Sequence, residues 1–454
     1  MCEPWKANHV RDIQSYHVAW FITGDARPDV TVRIGEGRLL SVEPGRSADA
    51  IELGAVALIS GLVNAHTHLE FSGMTQPIPT TGRFTDWIRA VVAHRRAHPT
   101  AVGDAIRSGI RESIESGTTL LGDIATSGWS WSDYSASGLN GVVFQEILGL
   151  LPDRVVQQKE VARLHLRESG AGHATSVTIG MDEESPHPNP RRIGTQTPLS
   201  ARPGRGDRNC TKRIEAGVSP HAPYSTHLEL VRDAVDLAAE TGCPLAMHLA
   251  ETRQELELLS AGTGDFREML LEFGLWRDEP SRFGRRPLDY LERLAKAPRL
   301  LVIHGNYLEE DELRFLATQP QMTLVYCPRT HAAFGHPTHP WRRARELGVR
   351  VALGTDSRAS NPDLSVFAEL QFLAAMNPDI SHLDLLQMGS VEGRLALGFD
   401  ESNDANLTLV RLADSSMNRP EQELFSLKHR VCGTMINGRW SWLEPDLTTH
   451  HLPN

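Results

Sequence analysis

The sequence predicts a (β/α)8 barrel joined to a small β-sandwich made from both chain ends, and three observations carry that prediction. Metal-type ligands close short β-rich runs in a fixed order: His66 and His68 end ALISGLVNAHTH, His248 ends CPLAMH, His304 ends RLLVIH, and Asp356 ends VRVALGTD. Eight such runs alternate with gaps long enough to hold helices. Further β-rich segments flank this region on both sides. Strands that deliver polar groups from their C-terminal ends around one rim are the signature of an enzymatic barrel.

Taken in order, the first sixty residues read as strands and turns. HVAWFIT, DVTVRIGEGRLLSVEPG and AIELGAVALI are β-rich, with Gly35, Gly37 and Gly45 as turn punctuation. The barrel strands expected next are LISGLVNAHTH, GTTLLGDIA, GVVFQEILGL, IEAGVSPHA, PLAMHLAE, RLLVIHGN, MTLVYCP and VRVALGTDS. Amphipathic helices lie between them, among them HLELVRDAVDLAAETG, closed by Gly242, and EEDELRFLATQ. NLTLVRLAD and VCGTMINGRW then return to strand. The expected domains are a sandwich over 1–60 and 404–454 and a barrel over 61–403. One stretch breaks the alternation: 183–212 is rich in Pro, Gly, Arg and Ser, nearly empty of apolar residues, and reads as a flexible insertion.

Composition sets outer bounds. At 454 residues the chain exceeds an ordinary domain, which suits a barrel with a small companion, and 40% hydrophobic content is enough to fill such a core. A net charge of -11 argues against nucleic acid or an anionic membrane surface as the main partner. The five cysteines, Cys2, Cys210, Cys243, Cys327 and Cys432, are scattered without a Cys-x-x-Cys pair, as expected of a reduced compartment. With no apolar leader and no run of transmembrane length, the expectation is a soluble cytoplasmic protein.

The strand-end residues have the chemistry of a divalent-metal hydrolase. Neutral imidazoles and a carboxylate bind zinc-like ions, and His66 and His68, two apart on a strand, share one face. An ion held there lowers the pKa of its water towards roughly 7. Glu251 follows His248 by three residues and can carry a proton without binding the ion; alternatively its charge favours a helix start. His304 is open to two roles, a further ligand or a donor orienting the water. Asp356 can accept a proton as well as touch the ion. His221, in SPHAPYS, faces the same rim, for substrate contact or for bonding to loop backbone. His331, His336 and His339 are read as lid or pocket-wall residues in preference to a second metal site.

These motifs are similar to those of the amidohydrolase superfamily, in its cyclic-amine deaminase and chlorohydrolase branch. The pieces that carry the resemblance are GLVNAHTHLEF, SPHAPYS, MHLAET, VIHGN, YCPRTHAAFGH and ALGTDSRASNPDLSVFAEL. It implies one metal ion, zinc first and iron or manganese next, held by His66, His68, His248 and Asp356, with His304 on the bound water and Glu251 as proton shuttle. Binuclear members carry a bridging lysine on the fourth strand, and IEAGVSPHA has none. Glu70, His221, Arg329, Ser357 and Arg358 occupy the positions that shape the substrate pocket.

Within the branch the nearest likeness is to aminofutalosine-type and adenosine-type nucleoside deaminases, with a departure at Ala333, where an aromatic is expected. The implied reaction is hydrolytic removal of an exocyclic amine from a purine nucleoside or similar N-heterocycle. An acidic or bulky ribose substituent is favoured, paired with Arg329 or Arg358. Chloride release and opening of an imidazolone-type cyclic amide are rivals within hydrolases. A catalytically silent barrel scaffold is the rival of another class. Dimers are common for such barrels, so a homodimer is the oligomer to test for.

Overall fold

Alternating apolar strands and amphipathic helices build, in the computed structural model of the chain, a parallel barrel beside a second sheet. The structure describes residues 13–80, 82–98, 101–126, 128–171, 214–278, 283–399, 404–413 and 417–448. The insertion expected over 183–212 lies outside them.

The second sheet draws its strands from both ends of the chain. β1 (Gln14–Ile22), β2 (Ala26–Gly35), β3 (Arg38–Pro44), β4 (Ile51–Glu52) and β5 (Val56–Ser60) come from the N-terminal side. The barrel strands are β6 (Leu62–Thr67), β7 (Thr118–Ala125), β8 (Asn140–Ile147), β9 (Ile214–Pro220), β10 (Leu245–Leu249), β11 (Leu300–His304), β12 (Met322–Tyr326) and β13 (Arg350–Leu353). β14 (Leu407–Arg411), β15 (Arg430–Ile436) and β16 (Arg439–Leu443) complete the other sheet, ordered β16-β15-β14-β5-β1-β2-β3 with β4 beside β1. Antiparallel pairing of β14 with β5, Leu409 opposite Leu58, joins the two ends around a core that includes Val18, Val32, Leu58 and Met435.

The apolar run before the His pair is two strands, not one. It breaks at Gly61, where a Cβ would meet the Thr119 side chain and stand 2.8 Å from the Asn406 carbonyl. β5 then belongs to the outer sheet and β6 opens the barrel. Parallel neighbours run from β6 through β13 in chain order, and the parallel bridge between Thr67 and Asp356 joins the last strand to the first. Asn64 fixes that seam: its Nδ2 donates to Thr355 Oγ1 at 2.8 Å, and its Oδ1 accepts from the Thr355 amide at 3.1 Å. Gly354 permits the approach, since a Cβ there would lie 2.8 Å from the His66 carbonyl.

Helices pack outside the strands through apolar stripes. The helix Leu228–Thr241 buries Leu230, Val231, Ala234, Val235 and Ala238 and ends at Gly242 with φ 76, as its sequence predicts. Among the described residues no helix is long and apolar enough to cross a membrane. Cys243, Cys327 and Cys432 are buried and free.

Candidate metal centre and substrate cavity

The strand ends bring His66, His68 and His248 together, all buried, with one ring nitrogen of each within 4.8 Å of the others. His68 Nε2 and His248 Nε2 are 3.3 Å apart. Asp356 Oδ1 lies 3.5 Å from His66 Nε2 and 3.8 Å from His68 Nε2. Ligand atoms about 2.0–2.2 Å from a shared tetrahedral ion are separated by distances of this order.

The donor set suits a cation on chemical grounds too. His248 donates from Nδ1 to the carbonyl of His221 at 3.0 Å, which leaves Nε2 as an acceptor facing the group. Both ring nitrogens of His66 and Nδ1 of His68 are buried with no hydrogen-bond partner. Unsatisfied buried polar atoms are destabilising, and a cation taking the one lone pair of the His66 imidazole, at the Nε2 that faces Asp356, would remove that nitrogen's penalty. Burial first, and then the neighbouring histidines, lower the pKa of His68 and His248 well below the ordinary value, so both present neutral imidazole. Asp356 remains a carboxylate. Burial alone would raise it, but His66, His304 and Ser360 together hold it down at about 2.

Backbone strain concentrates at this rim. Ala250, His304 and Asp356 take φ values of 53, 67 and 56, left-handed conformations that disfavour any residue with a Cβ. They sit at the ends of β10, β11 and β13, where the chain turns sharply to aim side chains into the site.

Glu251 is buried and its Oε1 lies 3.4 Å from His304 Nε2. Burial, reinforced by the charges of Asp356 and Glu255, raises its pKa well above the carboxylate range. His304 moves the opposite way, lowered by burial, so the pair is a neutral acid beside a neutral imidazole. Glu251 does not begin a helix. The helix is Arg253–Ala261, with Thr252 as its cap.

Glu255 is a residue the sequence reading missed. Its carboxylate accepts from the amides of Ala250 at 2.8 Å and Glu251 at 3.1 Å, clamping the turn that presents Glu251. Thr-x-x-Glu at 252–255 was the available signal, since that spacing marks a capped helix start whose glutamate reaches back.

Glu251, His304 and Asp356 line one end of a cavity of about 370 Å³ that also touches His68, His221, His248 and Ser357. The rest of its wall is mainly apolar: Phe84, Trp87, Ile88 and Val91 on one side, Met269, Leu270 and Phe273 on another. Ala333 contributes a carbonyl to Thr80, while its neighbour Phe334 backs Phe84 and Trp87 at 5.1 and 5.3 Å between ring centroids. His221 is fixed by Ser225, Nδ1 to Oγ 2.6 Å, with Nε2 3.8 Å from Glu146.

The arginines expected to meet substrate are engaged elsewhere. Arg329 binds Asp363 at 2.6 Å and the fully buried Glu369 at 2.7 Å. Arg358 binds Glu112 at 2.6 Å and the Met74 carbonyl at 2.9 Å. Glu70 faces Arg95, Nη2 to Oε1 2.7 Å. None of the three lines the cavity; Arg95 and Arg154 do. Nothing in the sequence singled those two out, because the cavity-facing side of a helix depends on where the helix docks. His331, His336 and His339 also lie off the cavity wall, and among the described residues no second group of ligand-type side chains is close enough to hold an ion.

Known proteins with this architecture can now be set beside it. An aminodeoxyfutalosine deaminase of Nitratiruptor sp. is 24% identical over 82% of this chain and 83% of its own length. The crystal structure of Helicobacter pylori aminofutalosine deaminase matches with a TM-score of 0.73 at 19% identity, covering 94% of this chain and 99% of that one. An adenosine deaminase from Xanthomonas campestris with bound zinc matches with a TM-score of 0.69 at 20% identity, covering 96% of both chains. The profile of the amidohydrolase family matches residues 57–441, and the chain belongs to that family.

Proposed function

We propose that the protein is a metal-dependent aminohydrolase that releases ammonia from the purine ring of an adenine-type nucleoside carrying a bulky substituent on its ribose. The observation that carries this reading is the buried Glu251 carboxyl 3.4 Å from His304, on the same cavity as His68, His248 and Asp356. The names of the similar proteins, aminodeoxyfutalosine deaminase and adenosine deaminase, support the choice of substrate class.

His66, His68, His248 and Asp356 are the residues that would hold one divalent ion, zinc by preference. When bound, such an ion makes water nucleophilic at neutral pH. The remaining chemistry falls to the chain. Asp356, kept ionised, accepts a proton from the attacking water. Glu251 delivers its proton to the ring nitrogen adjoining the carbon that bears the amine, and His304 orients the Glu251 carboxyl through the 3.4 Å contact. Asp356 then passes the proton it took to the amine, which leaves as ammonia, and the proton released from the added hydroxyl as the carbonyl forms returns to Glu251. His221 and Ser357 face the heterocycle, and the apolar wall excludes water and houses the ribose substituent. Arg154, hydrogen-bonded to Gln157 and with no carboxylate partner among the described residues, is the guanidinium placed for an acidic substituent.

Ammonia release tests the reading, measured on adenosine, 5-methylthioadenosine, S-adenosylhomocysteine and aminodeoxyfutalosine beside triazine, pterin and cytosine-like rings. Turnover of a substituted adenine nucleoside well above adenosine is expected. Turnover confined to the other rings, or chloride release in place of ammonia, would refute it.

A further inference from the structure

The loop after β12 carries a histidine that the reaction above does not use and that nevertheless reaches it. His339 is 4% exposed. Its Nδ1 accepts the Trp341 amide at 3.0 Å, and its Nε2 lies 2.8 Å from the carbonyl oxygen of His304. A backbone amide can only donate, so Nδ1 is the unprotonated nitrogen and Nε2 carries the proton. The second bond therefore runs from imidazole to carbonyl. Tyr326 stacks on the ring with centroids 3.9 Å apart and fixes its plane. Burial lowers the pKa to about 3, which keeps Nδ1 an acceptor across neutral pH.

The carbonyl it binds belongs to a strained turn. His304 and Gly305 have φ values of 67 and 62, two left-handed residues in succession at the end of β11. For a residue with a Cβ, crowding against the carbonyl disfavours that conformation, and surrounding bonds must hold it. The same turn sets His304 Nε2 3.4 Å from Glu251.

We propose that His339 is a positioning residue for the hydrolytic step: its Nε2 proton holds the His304 carbonyl, and with it the left-handed turn that keeps the His304 ring against Glu251. This rests on the aminohydrolase reading for its kinetic consequence, though not for its structural one.

The test compares His339→Gln, His339→Asn and His339→Phe in the metal-loaded full chain. Glutamine places an amide nitrogen near the position of Nε2, asparagine reaches only as far as Nδ1, and phenylalanine keeps the stack on Tyr326 without a donor. In Phe and Asn, kcat should fall about tenfold or more, with KM and metal content changed less than about twofold, and Gln should recover most of the loss. In a His304→Ala background, His339→Phe should lower kcat no further. Loss in Gln as deep as in Phe, or an equal effect with and without the His304 side chain, would make His339 a packing residue. Should Phe fail to fold, the Gln and Asn pair still decides. Independently of turnover, a crystal structure of the Asn variant should show His304 outside the positive-φ region; an unchanged φ would overturn the inference. A wild-type enzyme releasing no ammonia from any nucleoside would refute the activity, while the φ of His304 would still decide the role of His339.

Discussion

Two groups of three histidines approach each other at the end of β11, and they differ in what their ring nitrogens meet. His66, His68 and His248 converge, with two nitrogens of His66 and one of His68 unpartnered. His331, His336 and His339 are near neighbours too, with ring centroids 5.4 and 5.5 Å apart around His331, but their ring nitrogens do not converge as those of the first group do. His336 Nδ1 meets the Tyr307 hydroxyl at 3.1 Å, and both nitrogens of His339 are taken by backbone. His331 alone of this second group keeps a buried nitrogen, Nε2, without a partner. Residue type is the same in both. His248 and His339 show the difference: the Nδ1 of His248 is anchored to a carbonyl and leaves Nε2 for a cation, whereas both nitrogens of His339 are anchored and nothing is left to bind.

The comparison is tested hardest by Glu251→Gln, which touches the chemistry of the first group without removing a ligand. The amide is nearly isosteric and carries no transferable proton, so turnover should fall by about 10²–10⁴ with metal content and fold retained. Wild-type ammonia release from this variant would reduce Glu251 to a turn residue. Beside the second group, Arg329→Ala should act on stability instead. It strands the buried Glu369 carboxylate, and about 3–5 kcal/mol should be lost in denaturant unfolding. A raised KM with unchanged stability would return Arg329 to the substrate.

A buried histidine of a third kind gives a pH prediction. His165 bonds the Val143 carbonyl at 2.9 Å, and burial lowers its pKa to about 4. The unfolded chain, with the ordinary value near 6.5, binds more protons between those limits. Stability is therefore fully present above about pH 6.5 and declines as pH falls towards 4, by about 3 kcal/mol for this group. His165→Gln should flatten that part of the profile; an unaltered slope would mean that His165 is protonated in the folded state. The smallest effect expected is at Arg154→Ala, which should raise KM for an acid-bearing nucleoside about tenfold over its neutral analogue. Equal changes for both would remove Arg154 from recognition.

Much of this architecture is legible in the chain because short, β-rich apolar runs mark the strands, and those ending in His or Asp mark the end that faces the site. Seven of the eight barrel strands fall within the runs read as strands, and β8 starts one residue before its run, at Asn140. What escapes is whatever depends on distant backbone. Gly61 splits a continuous apolar run because Asn406, far away in sequence, occupies the space a side chain would need. Arg329 and Arg358 look like recognition groups until Asp363, Glu369 and Glu112 fold onto them. His339 is indistinguishable in sequence from a ligand, and only the fold brings its Nε2 to the His304 carbonyl thirty-five residues away.

Metal content per chain, measured by mass spectrometry after dialysis, tests the contrast between the two histidine groups most directly. The wild type should hold about one divalent ion, His248→Ala close to none, and His331→Ala about one as before. Two ions in the wild type with one lost on His331→Ala, or full retention in His248→Ala, would contradict the assignment of the first group as the metal centre.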